Sequence, residues 1–149
     1  MTRAWLIAML ILLLGCDQQQ TETKAKAPPS APSVRADYEY QERCGKAAAQ
    51  WFKLRYGDGS QTTSEGTSNS DFSNHYNQKL NKCFVLAVGT VFVKGRMSTW
   101  QQLHDVHENK QYGDWFQNQD TNAVLCNFLQ ASCASYNEWK ELIKPYMED

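Results

Sequence analysis

What this chain lacks narrows its options before any motif is read. It has no apolar run long enough to cross a bilayer: the longest, LIAMLILLL at 6–14, has nine residues, where a spanning helix needs about 20. It has no basic block. Over the whole chain 15 Lys and Arg stand against 16 Asp and Glu. From Asp37 onward the count is 11 against 14, a net of −3. The electrostatic footprint of a nucleic-acid binder is therefore missing. There is no G-x-S-x-G nucleophile elbow and no internal repeat. Proline is scarce, and three of the four prolines fall at 28, 29 and 32. That leaves residues 37–149 with one proline and room for one domain.

What is present divides into three parts. Residues 1–5 carry one charged side chain, Arg3, and the apolar run of 6–14 follows with the proportions of a secretory signal core. The run ends in LLGC at 13–16. This resembles the lipobox of bacterial lipoproteins. The resemblance implies cleavage after residue 15, a diacylglyceryl thioether on Cys16 and acylation of the new amino terminus. The membrane is then a partner through the anchor at Cys16. Each buried CH₂ contributes about 0.8 kcal/mol and one acyl chain holds only marginally, so two or three chains make a stable anchor. Asp17 directly after the cysteine resembles the retention signal of enteric-type bacteria, which implies the periplasmic face of the inner membrane rather than the outer membrane. Residues 17–36 (DQQQTETKAKAPPSAPSVRA) contain no aromatic residue, so they are expected to be a disordered tether following the lipidated Cys16.

The cysteines agree with export. There are five, at 16, 44, 83, 126 and 133. Lipidation of Cys16 leaves four, an even number suited to two disulfides in an oxidising compartment.

Within the domain, Cys44, Ala47, Ala48, Trp51 and Arg55 recur at helical spacing and predict a helix over 37–56, ended by Gly57. Residues 57–74, rich in Ser, Thr, Asn and Gly, read as a long surface loop. Residues 83–93 are apolar and valine-rich, with Gly89 inside, and predict a central strand covered on both faces. A turn at 94–96 leads to a second strand over 98–107 and a third over 111–116, with room for a bulge. Asp120, Thr121 and Asn122 can cap a helix running to about 131. Ser135 and Glu138 form a capping box for another, whose stripe is Trp139, Leu142, Ile143 and Tyr146. The expected fold is therefore α+β: an N-terminal helix, an antiparallel three-stranded meander and a C-terminal helical pair.

Four cysteines allow three pairings. Cys126 and Cys133 would lie about 10.5 Å apart on one continuous helix, beyond the roughly 7 Å that a disulfide tolerates between Cα atoms. The capping box at Ser135 breaks the helix between them, which favours Cys126–Cys133 and leaves Cys44–Cys83 to join the first helix to the central strand.

The stretches ERCGKAAAQWF (42–52) and NHYNQKLNKCF (74–84) together resemble a group of small exported bacterial proteins without an assigned activity. That resemblance implies a shared disulfide and fold, and no reaction, cofactor or ligand.

Chemistry-bearing candidates are few. His75, Tyr76 and Asn77 stand where a loop enters the central strand and are candidate binding residues. His104 and His107 form an H-x-x-H pair that a helix would turn into one metal-binding face, but a strand sends them to opposite faces. Asp105 and Asp114 could supply carboxylates, and Tyr112, Trp115 and Phe116 an aromatic patch. No catalytic residue, metal ligand or cofactor is assigned. The expected role is a tethered binding or interaction module for an envelope protein or small ligand. The alternative is an envelope hydrolase using the His75 region with a carboxylate.

Overall fold

The computed structural model describes residues 34–149. The signal segment, Cys16 and the tether up to residue 33 lie outside the described residues. The first element, α1 (Val34–Tyr56), forms because Cys44, Ala48, Trp51 and Phe52 fall at i, i+4, i+7 and i+8 and are all buried. It stops at Gly57, whose φ of 65° suits a residue without a Cβ and whose N–H bonds the Lys53 carbonyl at 3.0 Å.

Seven strands follow: β1 (Ser60–Thr62), β2 (Gly66–Asn77), β3 (Lys82–Val93), β4 (Arg96–Asp105), β5 (Lys110–Asn118), β6 (Val124–Phe128) and β7 (Ala131–Ser132). Each pairs antiparallel with its neighbours in chain order, giving one seven-stranded meander. A register shift between Leu103 and His104 marks a bulge against β5. The chain ends in α2 (Tyr136–Met147). Its N-cap Ser135 accepts from Glu138 N at 3.2 Å, while the Glu138 carboxylate reaches back to Ala134 N at 2.9 Å.

The expectation of a three-stranded meander with a C-terminal helical pair is overturned on two counts. Residues 57–74 are not a loop but the β1–β2 hairpin, and β2 pairs with β3 from Gly66↔Val93 to Asn77↔Lys82. Its Ser, Asn and Asp side chains are polar because much of β2 faces solvent, and the ladder is made by the main chain. The helix expected over 120–131 is β6 and β7. There Cys126 and Phe128 are buried while Leu125 before them, 63% exposed, and Asn127 between them face solvent, a period of two.

The sheet separates two cores. On one face Val85 and Ala87 pack with Ala48, Trp51 and Phe52 of α1. On the other, Phe84, Leu103, Trp115 and Phe128 pack with Trp139 and Ile143 of α2. β3 is thus covered on both faces along its first half only; the apolar run predicts cover over all of 83–93, whereas Phe92 and Val93 at its end are exposed because both helices stop short of them. Both expected disulfides are present, Cys44–Cys83 across α1 and β3 and Cys126–Cys133, with Cα separations of 5.3 and 5.2 Å. The second closes by a hairpin turn rather than by a break between helices. Among the described residues, no helix is long and apolar enough to cross a membrane.

Candidate functional site

α1 ends at Tyr56, and beyond it the face of the sheet that it covers lies open. The register sets Ser70, Gly89, Trp100, Phe116 and Leu125 side by side in one row across β2 to β6. One pleat nearer the helix lies a second row, Phe72, Ala87, Gln102, Asp114 and Asn127. Directly paired residues share a face, so the two rows make a shelf of aromatic and polar side chains.

Trp100 is seated by Gly89. A Cβ at position 89 would run into the indole, so its absence lets the ring lie over strand β3. Tyr56, from the last turn of α1, stacks on Trp100 with ring centroids 5.3 Å apart and planes at 27°. Its hydroxyl donates to Gln102 Oε1 at 3.0 Å. Burial raises the Tyr56 phenol above its ordinary range, against the opposing charge of Arg55, so it stays a neutral donor. Arg55 lies 4.2 Å over the Trp51 ring and donates to Asn109 Oδ1 at 2.8 Å. Asp114 accepts from Gln111 Nε2 at 3.1 Å on one oxygen and from Asn127 Nδ2 at 3.5 Å on the other, and keeps lone pairs to spare. The cavity bounded by Arg55, Tyr56, Trp100, Gln102, Asp114 and Phe116 holds about 520 Å³. The Trp100 indole N–H and the Gln102 amide NH₂ have no hydrogen-bond partner among the described residues and are not sealed from solvent.

His104 lies deeper on the same face, paired with Val85 and packed 4.7 Å from the Trp51 ring. It is buried, and neither ring nitrogen has a partner. Burial first, and Arg55 second, push its pKa down to about 4, so the ring is neutral near pH 7. His107, its H-x-x-H mate, is exposed in the turn after β4. Among the described residues, no three His, Cys, Asp or Glu side chains gather as a metal site.

His75, Tyr76 and Asn77 do not converge, because β2 alternates faces. Tyr76 stacks on Tyr40 of α1 at 5.0 Å and donates to Asn81 Oδ1 at 2.6 Å. His75 and Asn77 meet the end of α2 on the other side. His75 Nε2 lies 3.2 Å from Asp149 Oδ1. Asn77, 1% exposed, donates to the Pro145 carbonyl at 2.9 Å and accepts from Leu80 N at 3.0 Å. Asp105 is likewise occupied: buried, it holds Lys82 Nζ at 2.6 Å and accepts from His107 N at 3.0 Å. Asp105 and then Glu108 hold the Lys82 ammonium well above its ordinary range.

Of the three aromatics considered together, only Phe116 reaches the shelf. Trp115 packs on Tyr136 and Tyr112 on Phe84, both on the α2 side. Sequence reasoning missed Tyr56, Trp100 and Gln102 as a group. The available signal was Gly89 inside an apolar strand, a mark of close approach by another group. No family model, curated protein or solved structure matches this chain.

Proposed function

We propose that this chain is a recognition module that holds its ligand on the α1-side shelf and is kept at a bacterial membrane by lipid on Cys16. The observation that carries the reading is the Trp100 platform: an indole laid over Gly89, flanked by Phe116, with an indole N–H and the Gln102 NH₂ left unpaired. Apolar surface with a few convergent polar groups is the usual make-up of a ligand site. The LLGC stretch at 13–16 supports the anchor, and two disulfides are compatible with an oxidising compartment such as the periplasm. A hydrolase built on His75 finds a carboxylate partner in Asp149. That pair is joined by no nucleophile among the bonds of the described residues, and its carboxylate is half-exposed.

The Trp100 indole N–H resonance of the full-length chain, assigned by its loss in Trp100→Phe, reads the shelf directly. Bacterial envelope fractions (protein, lipid and glycan) are added separately. A saturable shift with any one of them is expected, and silence with all three would overturn the reading. Labelled palmitate should enter the wild-type chain and not Cys16→Ser; equal incorporation would remove the anchor.

A further inference from the structure

Resting on the shelf as the recognition surface, we infer that its ligand is an uncharged sugar, bound as part of a short linear glycan. A hexopyranose is amphipathic in a particular way. One face presents C–H groups, and the rim presents hydroxyls that each donate and accept. An aromatic ring carries negative charge on its face and attracts the positive edge of such C–H bonds. The shelf offers aromatic surface from two side chains, because Trp100 and Phe116 are register partners on adjacent strands and line one cavity.

The rim fits the hydroxyls. The unpaired Gln102 NH₂ and Trp100 N–H supply donors, and Asp114 supplies a planar acceptor for a pair of neighbouring hydroxyls. Each polar group is already held in place: Gln102 by Tyr56, Asp114 by Gln111 and Asn127, Arg55 by Asn109. Orienting them for a ligand therefore costs little further ordering.

Charge chooses between ligand classes. The rim carries one guanidinium, Arg55, and one carboxylate, Asp114, so it gives no field that would gather a polyanion or a phosphorylated headgroup. An acyl chain fits no better, since it would strip water from Gln102, Asp114 and Arg55 without replacing their hydrogen bonds. The row also continues past Phe116 to Leu125, which leaves a path for a chain rather than a closed cell for one ring. A neutral polyhydroxylated chain meets all three conditions.

The test titrates the oxidised full-length chain with four probes: linear tetramers of N-acetylglucosamine and of glucose, a polygalacturonate fragment, and an uncharged tetrapeptide. At least one neutral tetramer should shift the Trp100 indole resonance saturably. Phe116→Ala should weaken that response about tenfold, and Trp100→Ala, read by calorimetry because it lacks the reporting indole, should abolish binding. Asp114→Asn, a surface change that keeps the shape, should weaken binding while leaving the urea midpoint unchanged. The inference is overturned if neither neutral tetramer shifts Trp100 at millimolar concentration, if the polygalacturonate fragment or the peptide alone does so, or if Phe116→Ala binds as wild type. A peptide response without a sugar response would leave the shelf standing as a recognition surface and remove only the glycan.

Discussion

β3 is two strands in one. Its first half, Cys83, Phe84, Val85 and Ala87, is fully buried between α1 and α2. Its second half runs out past both helices to Phe92 and Val93, which are 43% and 37% exposed. The two halves share one hydrogen-bonded ladder with β2 and β4. They differ only in what lies above and below. The covered half concentrates the apolar burial that holds the fold, and the bare half is left to present side chains. Substitutions can accumulate in the bare half with little effect on the core.

The contrast is broken or sharpened most strongly by cavities. Trp139→Ala, at the centre of the α2-side core, should lower unfolding free energy by about 3–5 kcal/mol. Phe92→Ala in the bare half should change it by less than about 1 kcal/mol. Urea melts compare the two, and equal losses would erase the distinction. Next come the disulfides, whose sequence separations of 39 and 7 correspond to about 4 and 2.4 kcal/mol of loop-closure entropy. The Cys44→Ala/Cys83→Ala pair should therefore lower the midpoint further than the Cys126→Ala/Cys133→Ala pair; the reverse order would show that the hairpin, and not the α1 staple, dominates the covered half.

Gly89→Ala acts at the boundary between the halves. The added methyl meets the Trp100 indole and should destabilise by about 1–3 kcal/mol while displacing the Trp100 resonance. An unmoved resonance would mean that Gly89 does not seat the ring.

His104 gives the smallest effect. Its folded pKa, pushed down to about 4, lies below the ordinary 6.5, so between those values the unfolded chain binds the extra proton. Stability should fall as pH drops from about 6.5 toward 4, by about 1–2 kcal/mol once solvent screening is allowed for. His104→Gln should flatten that slope, and an unchanged pH profile would refute the assignment.

The helices and the disulfide pairs were legible from simple patterns: the α1 stripe, the Ser135 capping box, the even count of cysteines within residues 37–149. β2 was not, because a strand whose side chains are mostly polar, next to the short edge strand β1, has no apolar alternation to display. β6 was misread for a different reason. Val124, Leu125, Phe128 and Leu129 recur at i, i+1, i+4 and i+5, which mimics a helix face, while the true inward series of 124, 126 and 128 is masked by the exposed Leu125 and Leu129. The shelf was illegible as a unit. Gly89 and Trp100 are adjacent only through strand register, which no short-range pattern encodes. The reverse happened at His75, Tyr76 and Asn77, where neighbours in sequence are divided by the pleat.

The Cys44–Cys83 bond also sets how the molecule would carry load. Under the proposed anchor and shelf, tension between membrane and ligand would enter through the N-terminal turns of α1, cross at Cys44 and arrive in β3. From there it passes in shear through the ten paired positions that join β3 to β4, the strand that bears Trp100. Residues 45–82, including the β1–β2 hairpin, lie inside the closed covalent loop and off that line of force. Only the first turns of α1 can pay out before the pull meets a sulfur–sulfur bond, so the platform would stay in register under a drag sufficient to unravel an unstapled helix.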